Sequence, residues 1–113
     1  MWIVAKIKIK ELNTFKKNLS EKLGKDIKFY QPKVVYHKYF GDRVKKFEKF
    51  ILENYIFCYH KKFKKTNFIN EVGFQKGLEY FLRGYEGNQN ELIKFIEYCK
   101  AFENKEGYLT QSF

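Results

Sequence analysis

From Trp2 to Ile9 the chain alternates, with Ile3, Ala5, Ile7 and Ile9 on one face and Lys6 and Lys8 on the other. Period two predicts a first strand with its isoleucine face inward. The period then lengthens. Phe15, Leu19 and Leu23 recur at i, i+4 and i+8, behind Asn13 or Thr14 as N-cap and ahead of Gly24 as the C′ residue, so a short amphipathic helix is expected. Its polar face carries Lys16, Lys17 and Lys22. Ile27 to Phe40 is rich in strand formers but interrupted by Pro32, and Gly41-Asp42 follows as a turn signal. These features predict a long hairpin with a basic, exposed tip near Lys38 to Lys46.

The apolar run Lys49 to Tyr59 comes next and is expected to be the central strand of the sheet. Tyr55, Phe57 and Tyr59 share one of its faces, Ile56 and Cys58 the other. The Tyr/Phe face is either more core or a docking surface. After the charged connector Lys61 to Lys65, Thr66 or Asn67 caps a brief helix through Phe68, Ile69 and Val72, which Gly73 ends. Leu78 to Arg83 reads as a fourth strand. Asn88 and Glu91 have capping-box spacing, and Leu92, Phe95, Ile96, Cys99 and Phe102 then follow at helical spacing. The tail from Gly107 to Phe113 suits a strand or a linker. The expected fold is α+β: an antiparallel four-stranded sheet with flanking helices, a ferredoxin-like α/β sandwich.

A chain of 113 residues forms one domain, and a 20% aromatic content supports a core despite 32% charged residues. The net charge of +10 favours polyanionic or acidic partners. That charge is uneven. Residues 1–32 hold eight lysines against three acids and residues 33–65 hold ten Lys/Arg against three, whereas residues 66–113 hold five against seven. Arg43 and Arg83 are the sole arginines, which argues against extensive base readout by side chains. Cys58 and Cys99 both fall in apolar settings, where free buried thiols are the default, as in cytoplasmic proteins. Lysines interrupt the N-terminal apolar stretch and no run spans a membrane, so neither a signal peptide nor membrane association is expected.

The inventory for catalysis is thin. Nucleotide-binding, zinc-protease and serine-hydrolase motifs are missing, and His37 and His60 are the only histidines. Cys58 and His60 stand two apart, but no second pair has ligand spacing, so neither a metal nor a cofactor is expected. Binding, not enzymatic activity, is the expectation.

Several segments, in order, resemble the N-terminal (NGN) domain of the NusG family of transcription elongation factors, including RfaH-like paralogues. Trp2-Ile3-Val4 is similar to the family's opening strand. Tyr30-Gln31-Pro32-Lys33-Val34 resembles the proline-ended strand before a hairpin, and Leu52-Glu53-Asn54-Tyr55-Ile56-Phe57-Cys58 the family's F-P-G/N-Y-[LIV]-[FL]-V strand. Gly77 to Gly84 resembles its later strand, and Asn88 to Glu103 its last helix. Two departures are Glu53 at the proline position and about two residues inserted around Phe74 to Lys76. The KOW module that follows in the family has no counterpart in these residues, and the chain reads as one NGN-like domain over residues 1–113, either a lone N-terminal domain or one cut before a linker.

The resemblance implies a monomeric cytoplasmic factor that binds bacterial RNA polymerase and modulates pausing or termination. Tyr55 and Phe57 would form the pocket for the β′ clamp helices, with Leu92, Phe95 and Ile96 as candidate walls. Lys65, Thr66 and Asn67 would align with the loop that touches the β subunit's gate loop. Lys16, Lys17, Lys22 and Arg83 are the analogous candidates for contact with non-template or upstream DNA. The alternative is a stand-alone nucleic-acid-binding domain of ferredoxin-like fold. A small inhibitor of a host protein, acting through its basic surface, is a third reading.

Overall fold

Strand β1 (Trp2–Ile7) lies inside a four-stranded sheet, where the alternation of its side chains lets it bury both faces. In the computed structural model, which describes residues 1–110 without the side chains of Thr66 and Asn67, the order continues α1 (Leu12–Leu23), β2 (Lys28–Tyr30), β3 (Lys33–Phe40) and β4 (Arg43–Phe50). Then come β5 (Tyr55–Tyr59), α2 (Thr66–Glu71), β6 (Leu78–Phe81) and α3 (Gln89–Ala101). Of the predicted tail, residues 111–113 lie outside the described part.

The sheet runs β2-β5-β1-β6 and every pairing is antiparallel. β1 and β2 both oppose β5, so they are parallel to each other, joined by α1 with β5 between them. β5 and β6 stand in the same relation about β1, joined through α2. Two interleaved β-α-β units result. One face of the sheet, with Ile3, Ala5, Ile7, Ile56 and Cys58, is covered by Phe15, Leu19 and Leu23 of α1 and by Phe63, Ile69 and Val72 around α2. The other face, with Val4 and Phe57, is covered by Ile96 of α3.

Three sequence expectations for β1, α1 and the Lys49–Tyr59 run are corrected. First, Lys49 to Tyr59 is not one strand. Lys49 and Phe50 end β4, residues 51–54 turn, and only Tyr55–Tyr59 enters the sheet. The turn closes through Glu53 N–H to the Phe50 carbonyl and Tyr55 N–H to the Leu52 carbonyl, both 3.1 Å, with Glu53 at φ 51°. Its apolar residues are half-buried, and Leu52 packs beside the Val4–Phe57 cluster.

Second, Ile9 is not part of the inward face. The strand stops at Ile7, a 3-10 turn over Ile9–Glu11 feeds α1, and Ile9 is 42% exposed. Third, neither Asn13 nor Thr14 caps α1. The helix starts at Leu12, and the preceding turn already engages the Glu11 and Leu12 N–H groups with the carbonyls of Lys8 and Ile9.

The predicted hairpin forms, but Pro32 divides its first arm, so β2 joins the main sheet while β3 pairs only with β4. Phe40 and Arg43 are the last opposed pair, which leaves a two-residue turn with Gly41 at φ 66°. Each arm of eight residues is about 26 Å long. The hairpin projects. The molecule measures 55 × 29 × 24 Å with a radius of gyration of 15.8 Å, against about 13 Å for a compact domain of this length.

Candidate partner-binding face and basic hairpin

Tyr55 and Phe57 point to the same face of β5, as strand alternation requires, but their environments differ. Phe57 is 5% exposed, opposite Val4 and under α3, with its ring centroid 5.8 Å from that of Phe95 and 6.3 Å from that of Tyr30. Phe57 and Ile96 are therefore core. Tyr55, Leu92 and Phe95 are half-buried around that centre, together with Trp2, Leu52 and Leu82. The surface left by α3 is an apolar rim on a buried, packed base.

The position of α3 depends on a residue that sequence reading missed. The Gln89 Oε1 accepts the Trp2 N–H at 2.8 Å, and its Nε2 donates to the Trp2 carbonyl at 2.6 Å and to the Tyr85 carbonyl at 2.8 Å. β6 pairs with β1 only from Ala5 onward, and Leu82 N–H reaches the Val4 carbonyl, so the side-chain amide continues the ladder where the neighbouring strand has ended. Asn88 is the N-cap residue, but its amide donates to the Gly84 carbonyl at 2.7 Å instead of capping the helix. At the other end of α3 the Tyr30 hydroxyl donates to Glu103 at 3.0 Å. Burial, followed by that carboxylate, pushes the Tyr30 phenol well above its usual range.

The candidate DNA-contact residues do not converge. Lys16 is half-buried with its ammonium 5.7 Å from the Phe29 ring on β2, and burial lowers its pKa. Lys17 and Lys22 are exposed on the same helix. Arg83 is exposed just past β6, at the opposite edge of the sheet. Lys65 is exposed and directly precedes α2, whose first residues are Thr66 and Asn67. Beside the end of that helix lies an open cleft of about 830 Å³, lined among others by Ile69, Phe74, Tyr80 and Arg83, with Phe74 95% exposed.

The hairpin register sorts its side chains into two unlike faces, because directly opposed residues share a face. Val34, Tyr36, Lys38 and Phe40 oppose Lys49, Phe47, Lys45 and Arg43 on the first face. Lys33, Val35, His37 and Tyr39 oppose Phe50, Glu48, Lys46 and Val44 on the second. The second face is tied to the end of the chain. Tyr108 hydrogen-bonds to Glu48 and lies under the ammonium groups of Lys33 and Lys46, Lys46 pairs with Glu106 at 3.5 Å, and Leu109 N–H reaches the Lys33 carbonyl.

Among the described residues, no three His, Cys, Asp or Glu side chains gather as metal ligands, and no helix is long and apolar enough to cross a membrane. His60 is buried past the end of β5, where its Nδ1 accepts the Lys62 N–H at 3.1 Å. Cys58 and Cys99 are free and buried, and burial raises the pKa of both thiols. No family model matches the chain, and no curated protein matches it.

Proposed function

We propose that this protein is a transcription elongation or antitermination factor of the NusG type, an NGN-like domain that docks on bacterial RNA polymerase. The strand order β2-β5-β1-β6 with α1 and α2 on one face supports the ferredoxin-like sandwich. α3, on the opposite face, and the projecting hairpin are additions to that plan. The protein acts in the cytoplasm by binding and not by catalysis, as a monomer and without a cofactor.

The observation that carries this reading is the half-exposed rim of Tyr55, Leu92 and Phe95 around the packed Phe57–Ile96 centre. Aromatic and aliphatic side chains on a packed base suit an amphipathic helical partner, for which the β′ clamp helices are the proposed occupant. Lys65, Thr66 and Asn67 contact the β subunit across the cleft, and the bridge restrains the polymerase. Lys16, Lys17 and Lys22, with Arg83 at the far edge, contribute non-specific attraction to upstream or non-template DNA. Elongation by purified bacterial polymerase tests the reading. The chain should alter pause lifetimes, and Tyr55→Ala/Leu92→Ala should abolish that effect; unchanged pausing with the wild-type chain contradicts it.

A further inference from the structure

We infer that the first face of the hairpin is a stacking platform for single-stranded nucleic acid, separate from the α1 lysines and independent of the polymerase reading. The face holds three aromatic rings and four cations, Lys38, Arg43, Lys45 and Lys49, and no acid. Tyr36 and Phe47 stack at 5.5 Å between centroids with 19° between their planes, and Phe40 continues the row 6.4 Å from Phe47. Tyr36 is 37% and Phe40 55% exposed, so the row lies open on the arm.

The placement of the lysines gives the ligand its chemistry. The Lys38 ammonium rests 5.8 Å from the Tyr36 ring and 5.5 Å from the Phe47 ring, and Lys45 rests 5.6 Å from Phe47. At an exposed site such contacts are weak, so a flat π-system can displace the ammonium from a ring while the flexible stem keeps its charge within reach. A ligand that offers planar groups and anions in alternation satisfies both sets. A nucleic-acid strand with unpaired bases has that pattern. An acidic peptide would meet the charges and leave the rings without stacking partners, and a duplex keeps its bases stacked on one another.

The two-residue turn and the absence of acids on this face are consistent with a strand running along the arm, with lysines holding phosphates and rings holding bases. Because the cations are mostly lysines, the platform is sequence-tolerant.

Fluorescence anisotropy of a labelled oligothymidylate with the full chain tests this. The single strand should bind more tightly than a duplex of equal length. Tyr36→Leu/Phe40→Leu should weaken binding about tenfold or more with an unchanged salt slope. Lys38→Gln/Lys45→Gln should flatten the slope of log affinity against log salt by about 1.4. Phe40→Leu alone, at the tip, gives the same direction should the double variant loosen the hairpin. Ring variants that bind like the wild type, a duplex that binds as tightly as the single strand, or a wild-type chain that does not bind would each overturn the inference.

Discussion

The amide of Gln89 forms two hydrogen bonds to the backbone of Trp2, one as acceptor and one as donor, and so takes the place of a missing strand residue beside β1. Through this pair the last helix is fastened to the sheet whose second face it covers. Gln89→Ala leaves the Trp2 N–H and C=O without partners at a part-buried site. A loss of about 2 kcal/mol is expected from urea unfolding. Gln89→Glu also destabilises, since a carboxylate then faces the carbonyls of Trp2 and Tyr85. An unchanged midpoint in both variants would show that α3 is held by its apolar contacts alone.

Phe57 and Tyr55 separate core from surface on one strand. Phe57→Ala opens a cavity under Phe95 and is expected to cost about 3–5 kcal/mol, whereas half-buried Tyr55→Ala should cost well under half of that. Equal losses in thermal or urea unfolding would mean that Tyr55 is core as well.

Gly77 joins the loop after α2 to β6 at φ 89°, and a Cβ there would stand 2.8 Å from the Glu11 carbonyl oxygen and 3.1 Å from the Phe15 Cβ. Backbone cannot swing aside as a side chain can. Gly77→Ala should lower stability by at least about 2 kcal/mol, the left-handed penalty together with the clash. A wild-type melting temperature would rule out this close approach of α1 and the loop.

Alkaline pH should destabilise the fold. Cys58 and Tyr30 hold their protons to higher pH in the folded chain than in the unfolded one, Cys58 through burial and Tyr30 through burial and then Glu103. The unfolded chain releases protons first, above about pH 8.5 at the thiol and about pH 10 at the phenol. Stability is therefore complete below those values and falls as pH rises past them. Urea midpoints at neutral pH and near pH 10 check this, and Tyr30→Phe should fall less steeply. A flat midpoint contradicts it.

Much of the scaffold was legible because burial imposes strong periods. The alternation of Ile3, Ala5 and Ile7, the spacing of Phe15, Leu19 and Leu23, and the Gly41-Asp42 turn all correspond to observed elements. The turn over residues 51–54 was hidden, because Ile51 and Leu52 are apolar for packing and Glu53 carries no glycine-like signal for its positive φ. Pro32 signalled a bend but not that the two arms would join different sheets.

At the candidate site, alternation put Tyr55 and Phe57 on one face; which of them α3 covers depends on where the helix lies. Gln89, whose side chain reaches a backbone 87 residues away, joins the apolar contacts of Leu92, Phe95 and Ile96 in placing it. Local pattern carries no trace of such a contact. Conversely, the lysines and rings of residues 36–47 looked like an exposed basic tip, and only the strand register sorts them into an acid-free face and an anchored one.

The proposed docking of the Tyr55 rim on RNA polymerase can be measured apart from any effect on pausing. Its most direct test is co-migration of the chain with bacterial core RNA polymerase at moderate salt, wild type beside a folded Tyr55→Ala/Leu92→Ala variant. Binding by the wild type and its loss in the variant is the predicted result. Absence of co-migration by the wild type, or equal binding by the variant, contradicts the proposed docking.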